Sequence, residues 1–230
     1  MTGMNWERWA RATGIGFVVM FIVAFVVYGE PPKVNDSARE IASFFDGDRG
    51  RVLTALILFG IAFILLLAFI GVIASTLREA GKGGWGAMAT AAGATFVAVQ
   101  AITGAIAGAL ALNIAAAGDE GILTGLNTLL STGDVISAYP FAALIFAATI
   151  GLSRAGITAS WYGWVGLLAA VLVFLHGTNF ATSGFWSPTG GYVWVTVIAG
   201  LGWTLITSVL LYTRAPATAA APQRTAVPTT

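Results

Sequence analysis

The sequence predicts an all-α, polytopic membrane protein of six transmembrane helices, and three observations lead there. Hydrophobic residues make up 57% of the 230-residue chain and charged residues only 9%, whereas a water-soluble domain carries about a quarter charged. Two long segments, Gly83 to Gly118 and Ala155 to Thr213, contain no charge, and the second has room for two spans of ~20 residues with a loop between them. The basic residues also alternate in position as an alternately threaded chain requires.

Span one covers Ala12 to Tyr28, entered past Trp6 and Trp9 and ended by Gly29 and the Pro31-Pro32 pair, which cannot continue a helix. Val26-Val27-Tyr28-Gly29-Glu30 is a poor small-residue cleavage site, so this segment reads as a retained helix rather than a signal peptide. Span two covers Val52 to Thr76, span three Trp85 to Leu112, and span four ends just before Arg154 after starting near Asp134. Span five runs from Trp161 to Phe180 and span six from Tyr192 to Tyr212. The tail 214–230 is rich in Ala, Pro and Thr and is expected to be a disordered cytoplasmic extension, because it holds too few large apolar residues to fold.

Orientation follows from the loops. With the N-terminus inside, the inner segments hold Arg8, Arg11, Arg78, Lys82, Arg154, Arg214 and Arg224 against only Glu7 and Glu79. The outer segments hold Lys33, Arg39, Arg49 and Arg51 against seven acids, from Glu30 to Glu120. Both termini are therefore expected in the cytoplasm of a bacterial inner membrane. In the first outer loop, Ser37-Ala-Arg-Glu40 is a capping-box pattern, in which side chain and backbone satisfy each other reciprocally. It predicts a short helix around 37–46 that places Ile41, Phe44 and Phe45 on one face, lying in the outer interface or capping the bundle. The turns Leu77-Arg-Glu-Ala-Gly81 and Leu152-Ser-Arg-Ala-Gly156, each followed by a Trp, echo one another. Either a helical hairpin was duplicated or short basic turns simply look alike.

Composition removes several chemistries. The chain has no cysteine and one histidine, His176, so thiolate sites, iron–sulfur ligation and bis-histidine haem are excluded. Lys33 and Lys82 both lie in loops, which leaves no lysine inside a span for a retinal Schiff base. No phosphate loop, nucleophile elbow or zinc-protease motif is present, and no basic cluster suits nucleic acid.

The remaining polar residues are the candidates. Span three carries Gly93, Val97, Gln100, Gly104 and Gly108 at three- and four-residue spacing. Such small-residue faces let helices approach closely, so Gly104 and Gly108 are expected to make its closest backbone contact, with Gln100 bonding a neighbouring helix. Thr124, Asn127, Ser131 and Asp134 form a polar stripe, which suits an amphipathic outer-surface helix ending at Thr132-Gly133. Asp134 then caps the span beginning at Val135, the favoured assignment, since free N–H groups and the helix dipole welcome an acid there. Alternatively the helix is continuous, Pro140 bends it, and Asp134 faces the bundle interior, where an acid is a functional candidate by default.

His176 lies 15 residues past Trp161, and Asp134 lies 18 residues before Leu152. At 1.5 Å per residue these counts put them ~22 Å and ~27 Å above the inner side, at similar depth in the outer half. Asn179 follows His176 on the same helical face. Any ligand site is thus expected between spans four and five, using Asp134, His176, Asn179 and Asn127. A carboxylate within reach of an imidazole is a candidate proton-linked pair.

Ser37-Ala-Arg-Glu-Ile-Ala-Ser-Phe-Phe-Asp46 with Asp48-Arg49, and Arg154-Ala-Gly-Ile with Trp161-Tyr-Gly-Trp-Val-Gly166, resemble a family of uncharacterised six-span bacterial membrane proteins. The resemblance implies the six-span fold and no activity. The first functional expectation is a non-enzymatic accessory, partner or structural subunit, without cofactor or metal, contacting lipid and a protein partner or a second copy of itself. The second is a small-solute or lipid binding or transport protein with an outer-facing polar pocket. A hydrolase built on Asp134 and His176 is a distant third.

Overall fold

Helix ends fall where the sequence supplies stop signals. The computed structural model describes residues 3–213, with side chains from residue 9 onward. The tail expected to be disordered lies outside the described residues. Among these there is no strand, and the helices are α1 (Gly3–Tyr28), α2 (Ala38–Ala42), α3 (Arg49–Glu79), α4 (Gly83–Ala109), α5 (Ala115–Ala117), α6 (Glu120–Arg154), α7 (Ser160–His176) and α8 (Tyr192–Thr213). π-helical turns at Ser43–Gly47 and Leu110–Ile114 extend α2 and join α4 to α5.

The echo between the two basic turns has a physical basis. Gly81 and Gly156 take left-handed conformations, with φ of 69° and 65°, which glycine adopts without steric cost. The amide after each glycine then bonds back across the turn, Lys82 N–H to the Leu77 carbonyl at 2.7 Å and Ile157 N–H to the Leu152 carbonyl at 3.0 Å. Both turns are Schellman caps, which accounts for the glycine at the same place in each.

Each long helix packs on its neighbours in chain order: α1 on α3, α3 on α4, α4 on α6, α6 on α7, α7 on α8, and α8 back on α1. The chain therefore closes a ring. Its core runs through Phe69, Ile73, Leu144, Tyr162 and Trp203. A second cluster at the opposite end inserts Ile41 and Phe45, both fully buried, against Val52, Leu110 and Leu123. The expected capping box is present at Ser37, and its short helix plugs this end of the ring. The Ser37 hydroxyl and then its backbone N–H bond the fully exposed Glu40 carboxylate and hold it below the usual carboxylate range.

The outside of the ring is oily. Val19, Val23 and Val26 on α1, Ile57, Ile61 and Ile64 on α3, and Ile198, Leu205 and Val209 on α8 are all exposed. Apolar faces that extensive are untenable in water. Five helices are long and apolar enough to cross a membrane, counting Gly83–Ala117 as one rod. α7 is apolar but has 17 residues.

Three expectations are corrected. First, α6 is continuous from Glu120 to Arg154 and passes through Pro140, so Asp134 is not an N-cap. The cap at this helix start belongs to Asp119, whose side chain accepts from Ile122 N–H at 3.0 Å. Second, the polar stripe is not an outer-surface face: Asn127 and Ser131 are buried while Ile122 and Leu129 are about half exposed. Apolar groups face outward and polar groups find partners inside, the order a hydrocarbon solvent imposes. Third, Gly104 and Gly108 do not make the tightest approach of α4. A Cβ on either would meet only Leu56 methyls, at 3.9 and 3.6 Å, whereas one on Gly86 would lie 3.1 Å from the Ala74 backbone oxygen.

Candidate functional site

The ring order brings α4, α6 and α7 together as consecutive staves, and each contributes a polar side chain at one level. Asp134 on α6 is the hub. Its Oδ2 lies 3.4 Å from His176 Nε2, and its Oδ1 accepts from Gln100 Nε2 at 3.3 Å. The second Gln100 N–H reaches Ser137 Oγ at 3.2 Å, and Ser137 Oγ–H in turn donates to the Asp134 carbonyl at 2.6 Å. Without the local cap it was expected to serve, the carboxylate is satisfied by these tertiary partners.

His176 is the last residue of α7, which stops four residues short of the expected Phe180. Asn179 is therefore not on that helix. It sits in a tight turn whose amides bond back three residues, Asn179 N–H to the His176 carbonyl at 2.9 Å. The turn still delivers the side chain, and Asn179 Nδ2 lies 3.1 Å from His176 Nδ1. An amide N–H donates, so Nδ1 accepts and the ring proton sits on Nε2, facing Asp134. His176 is nearly fully buried, while the Asp134 side chain is 44% exposed. Asn179 Oδ1 is buried without a partner. Tyr139 Oη–H fixes the helix end by donating to the Gly177 carbonyl at 2.6 Å.

These groups form one wall of a cavity of about 80 Å³. Gln100, Asp134, Ser137, His176 and Thr196 supply its polar side, and Phe17, Phe21, Phe96 and Phe141 supply most of the rest. Five of the six long helices contribute, which places the cavity inside the ring. A wider hollow of about 520 Å³ lies between Ser37–Arg39 and Glu120–Thr124. Its charged side chains face open surface, and the chemistry is concentrated in the smaller space.

Of the residues expected to form a site, Asp134, His176 and Asn179 come together with Gln100, which sequence had assigned only to packing. Asn127 does not join them. It lies two turns before Asp134 on α6, and its Nδ2 donates to the Lys33 carbonyl at 3.0 Å, tying the loop between α1 and α2 to α6. Ser137, Thr196 and the phenylalanines were missed. Ser137 carried a legible signal, since it lies three residues after Asp134 and shares its face. The phenylalanines carried none, because apolar residues inside apolar spans do not announce which face they occupy.

A second buried polar set was also missed. Trp203 Nε1–H donates to Thr149 Oγ1 at 2.9 Å, and Tyr162 Oη lies 2.8 Å from Thr207 Oγ1. All four residues are fully buried or nearly so. Its hydrogen bonds are complete, and it cross-links α6, α7 and α8. Among the described residues no group of three or more His, Cys, Asp or Glu is placed to hold a metal ion.

No family model, curated protein or solved structure matches the chain.

Proposed function

We propose that this chain is a six-span protein of a bacterial cytoplasmic membrane, with both termini inside, that binds a small solute in the cavity between its helices. The observation that carries the proposal is the convergence of Asp134, His176, Gln100 and Ser137 on one cavity wall, with the Asp134 side chain 44% exposed. A carboxylate kept within a helix bundle is costly, and a purely structural role needs no open space beside it. The subunit expectation rested on the absence of reactive groups and on the small-residue helix faces; the clustering of Asp134, His176, Gln100 and Ser137 on a cavity wall favours a binding site.

The sixth span is supported by α7 itself. Trp164, Leu168, Val171 and Leu175 are exposed at four- and three-residue spacing, the same outward apolar stripe the other five helices show. Its 17 residues reach about 25 Å at 1.5 Å each, short of a hydrocarbon core of about 30 Å. Trp161 in its first turn and Phe180 after its end are exposed and suit the two interfacial zones, where aromatic rings concentrate. In this orientation the cavity belongs to the outer half, toward the loop 177–191.

The size bears on the solute. Drug-sized ligands occupy pockets of about 300–1,000 Å³, far above the 80 Å³ here. The test is a panel of small amines, alcohols and carboxylates, scored by thermal stabilisation of the detergent-solubilised protein and of Ala138→Leu, which fills the cavity from its own wall. At least one solute should stabilise the wild type alone, because a ligand that binds only the folded state raises its stability. No solute-specific stabilisation, or equal stabilisation of both proteins, would overturn the proposal.

A further inference from the structure

The donors lining the cavity are all engaged. Both Gln100 N–H groups go to Asp134 and Ser137, and the His176 Nε2 proton faces Asp134. The Ser137 and Thr196 hydroxyls donate to the carbonyls of Asp134 and Tyr192. What the wall still offers is acceptors: the remaining lone pairs of the Asp134 carboxylate, the Ser137 and Thr196 oxygens, and Gln100 Oε1. A carboxylate alone provides about four acceptor positions, and two are filled.

Charge points the same way. No lysine or arginine lines the cavity. Asp134 is the only acid among the lining residues, and His176 Nδ1 is turned away from it toward Asn179. The facing surface is made of phenyl rings, with Phe96 and Phe141 stacked at 4.6 Å. Phenyl rings attract a cation held against their faces and accept its methylene groups, but give an anion nothing.

We infer that the occupant is a small organic monocation, a protonated amine of about four heavy atoms whose ammonium hydrogens meet Asp134, Ser137 and Thr196 while its carbons lie against the phenylalanines. The size follows from about 80 Å³ of space, roughly the room of two to three waters at ~30 Å³ each. The inference rests on the binding proposal above and adds the ligand class to it.

The test compares propylammonium with 1-propanol and propionate, which share its shape but not its charge, and with sodium and potassium chloride at matched ionic strength. The readout is the unfolding midpoint of the full chain in detergent. Propylammonium should raise it saturably, by about 3–6 °C at ten times its dissociation constant, and the other four should not. In Asp134→Asn its affinity should fall at least about tenfold, because the contact is charge-assisted. Equal effects from propanol or propionate would overturn the ligand class and leave a binding cavity standing. A saturable effect of sodium or potassium alone would reassign the site to an inorganic cation. No effect from any probe on the wild type would overturn both the class and the binding proposal. The comparison in the wild type decides these outcomes even if the variant does not fold.

Discussion

Gly166 and Gly104 are both mid-helix glycines in apolar spans, yet alanine should affect them very differently. A Cβ on Gly166 would collide with Thr149 Oγ1 and Cγ2 and lie 2.9 Å from Thr149 Cβ. Thr149 is fully buried and its hydroxyl accepts from Trp203. A β-branched side chain has little rotameric freedom in a helix, so it cannot swing aside without giving up that bond. Overpacking of this kind costs about 1–3 kcal/mol, and the displaced hydrogen bond adds about 0.5–1.5 kcal/mol. At Gly104 the added methyl meets only a Leu56 methyl at 3.9 Å, an ordinary contact. The gain in helix propensity from Gly to Ala is common to both and cancels. Gly166→Ala should therefore be less stable than Gly104→Ala by ~2–4 kcal/mol, or about 4–16 °C in unfolding midpoint for a chain of this size. Thermal unfolding of both variants in the same detergent measures the difference. Equal midpoints would refute the packing argument and the inward placement of Thr149 on which it depends.

Two further predictions follow from the ends of the ring. Reporter fusions at Gly83 and after Thr213 should report the cytoplasm, and fusions at Pro32 and Pro188 the outside; a cytoplasmic signal at Pro188 would remove α7 from the list of spans. Glu40 is held below its ordinary range by Ser37, so its cap on α2 is fully present above the unfolded carboxylate value of about 4.3. It is lost as pH falls through the lower folded value. Amide-exchange protection in α2, corrected for intrinsic rates, should fall with acidification in that window. It should not do so in Glu40→Gln, whose amide can still complete a capping box. Identical pH profiles would show that the carboxylate charge contributes nothing to the cap.

The helices were legible because a membrane span is written in composition, and composition needs no partner to be read. The break assigned at Thr132-Gly133-Asp134 was illegible for the opposite reason. An acid after a glycine has the local grammar of a helix start, and only Gln100 and His176, distant in sequence, make it a residue within a helix. Similarly, the glycine spacing in α4 was visible but its ranking was not. Gly86 approaches the α3 backbone more closely than Gly104 because the turn at Gly81 brings the two helices together, and that is a property of the pair. The shared level of Asp134 and His176 was recoverable from sequence, since rise per residue is fixed and both counts began at the turn between α6 and α7. Their shared face was not, because it depends on how α6 and α7 rotate against each other.

The central claim is that a water-accessible cavity, open toward the outer side, reaches Thr196 and Asp134. The chain contains no cysteine, so single cysteines can be introduced without a background. A small, charged, membrane-impermeant thiol reagent added to the outside of intact cells should modify Thr196→Cys, which lies on the cavity wall. It should leave Ala148→Cys, fully buried on α6, untouched. Modification depends on thiolate formation and aqueous access, so lipid exposure alone does not produce it. Failure of Thr196→Cys to react in a folded, inserted protein, or equal reaction at both positions, would contradict the account.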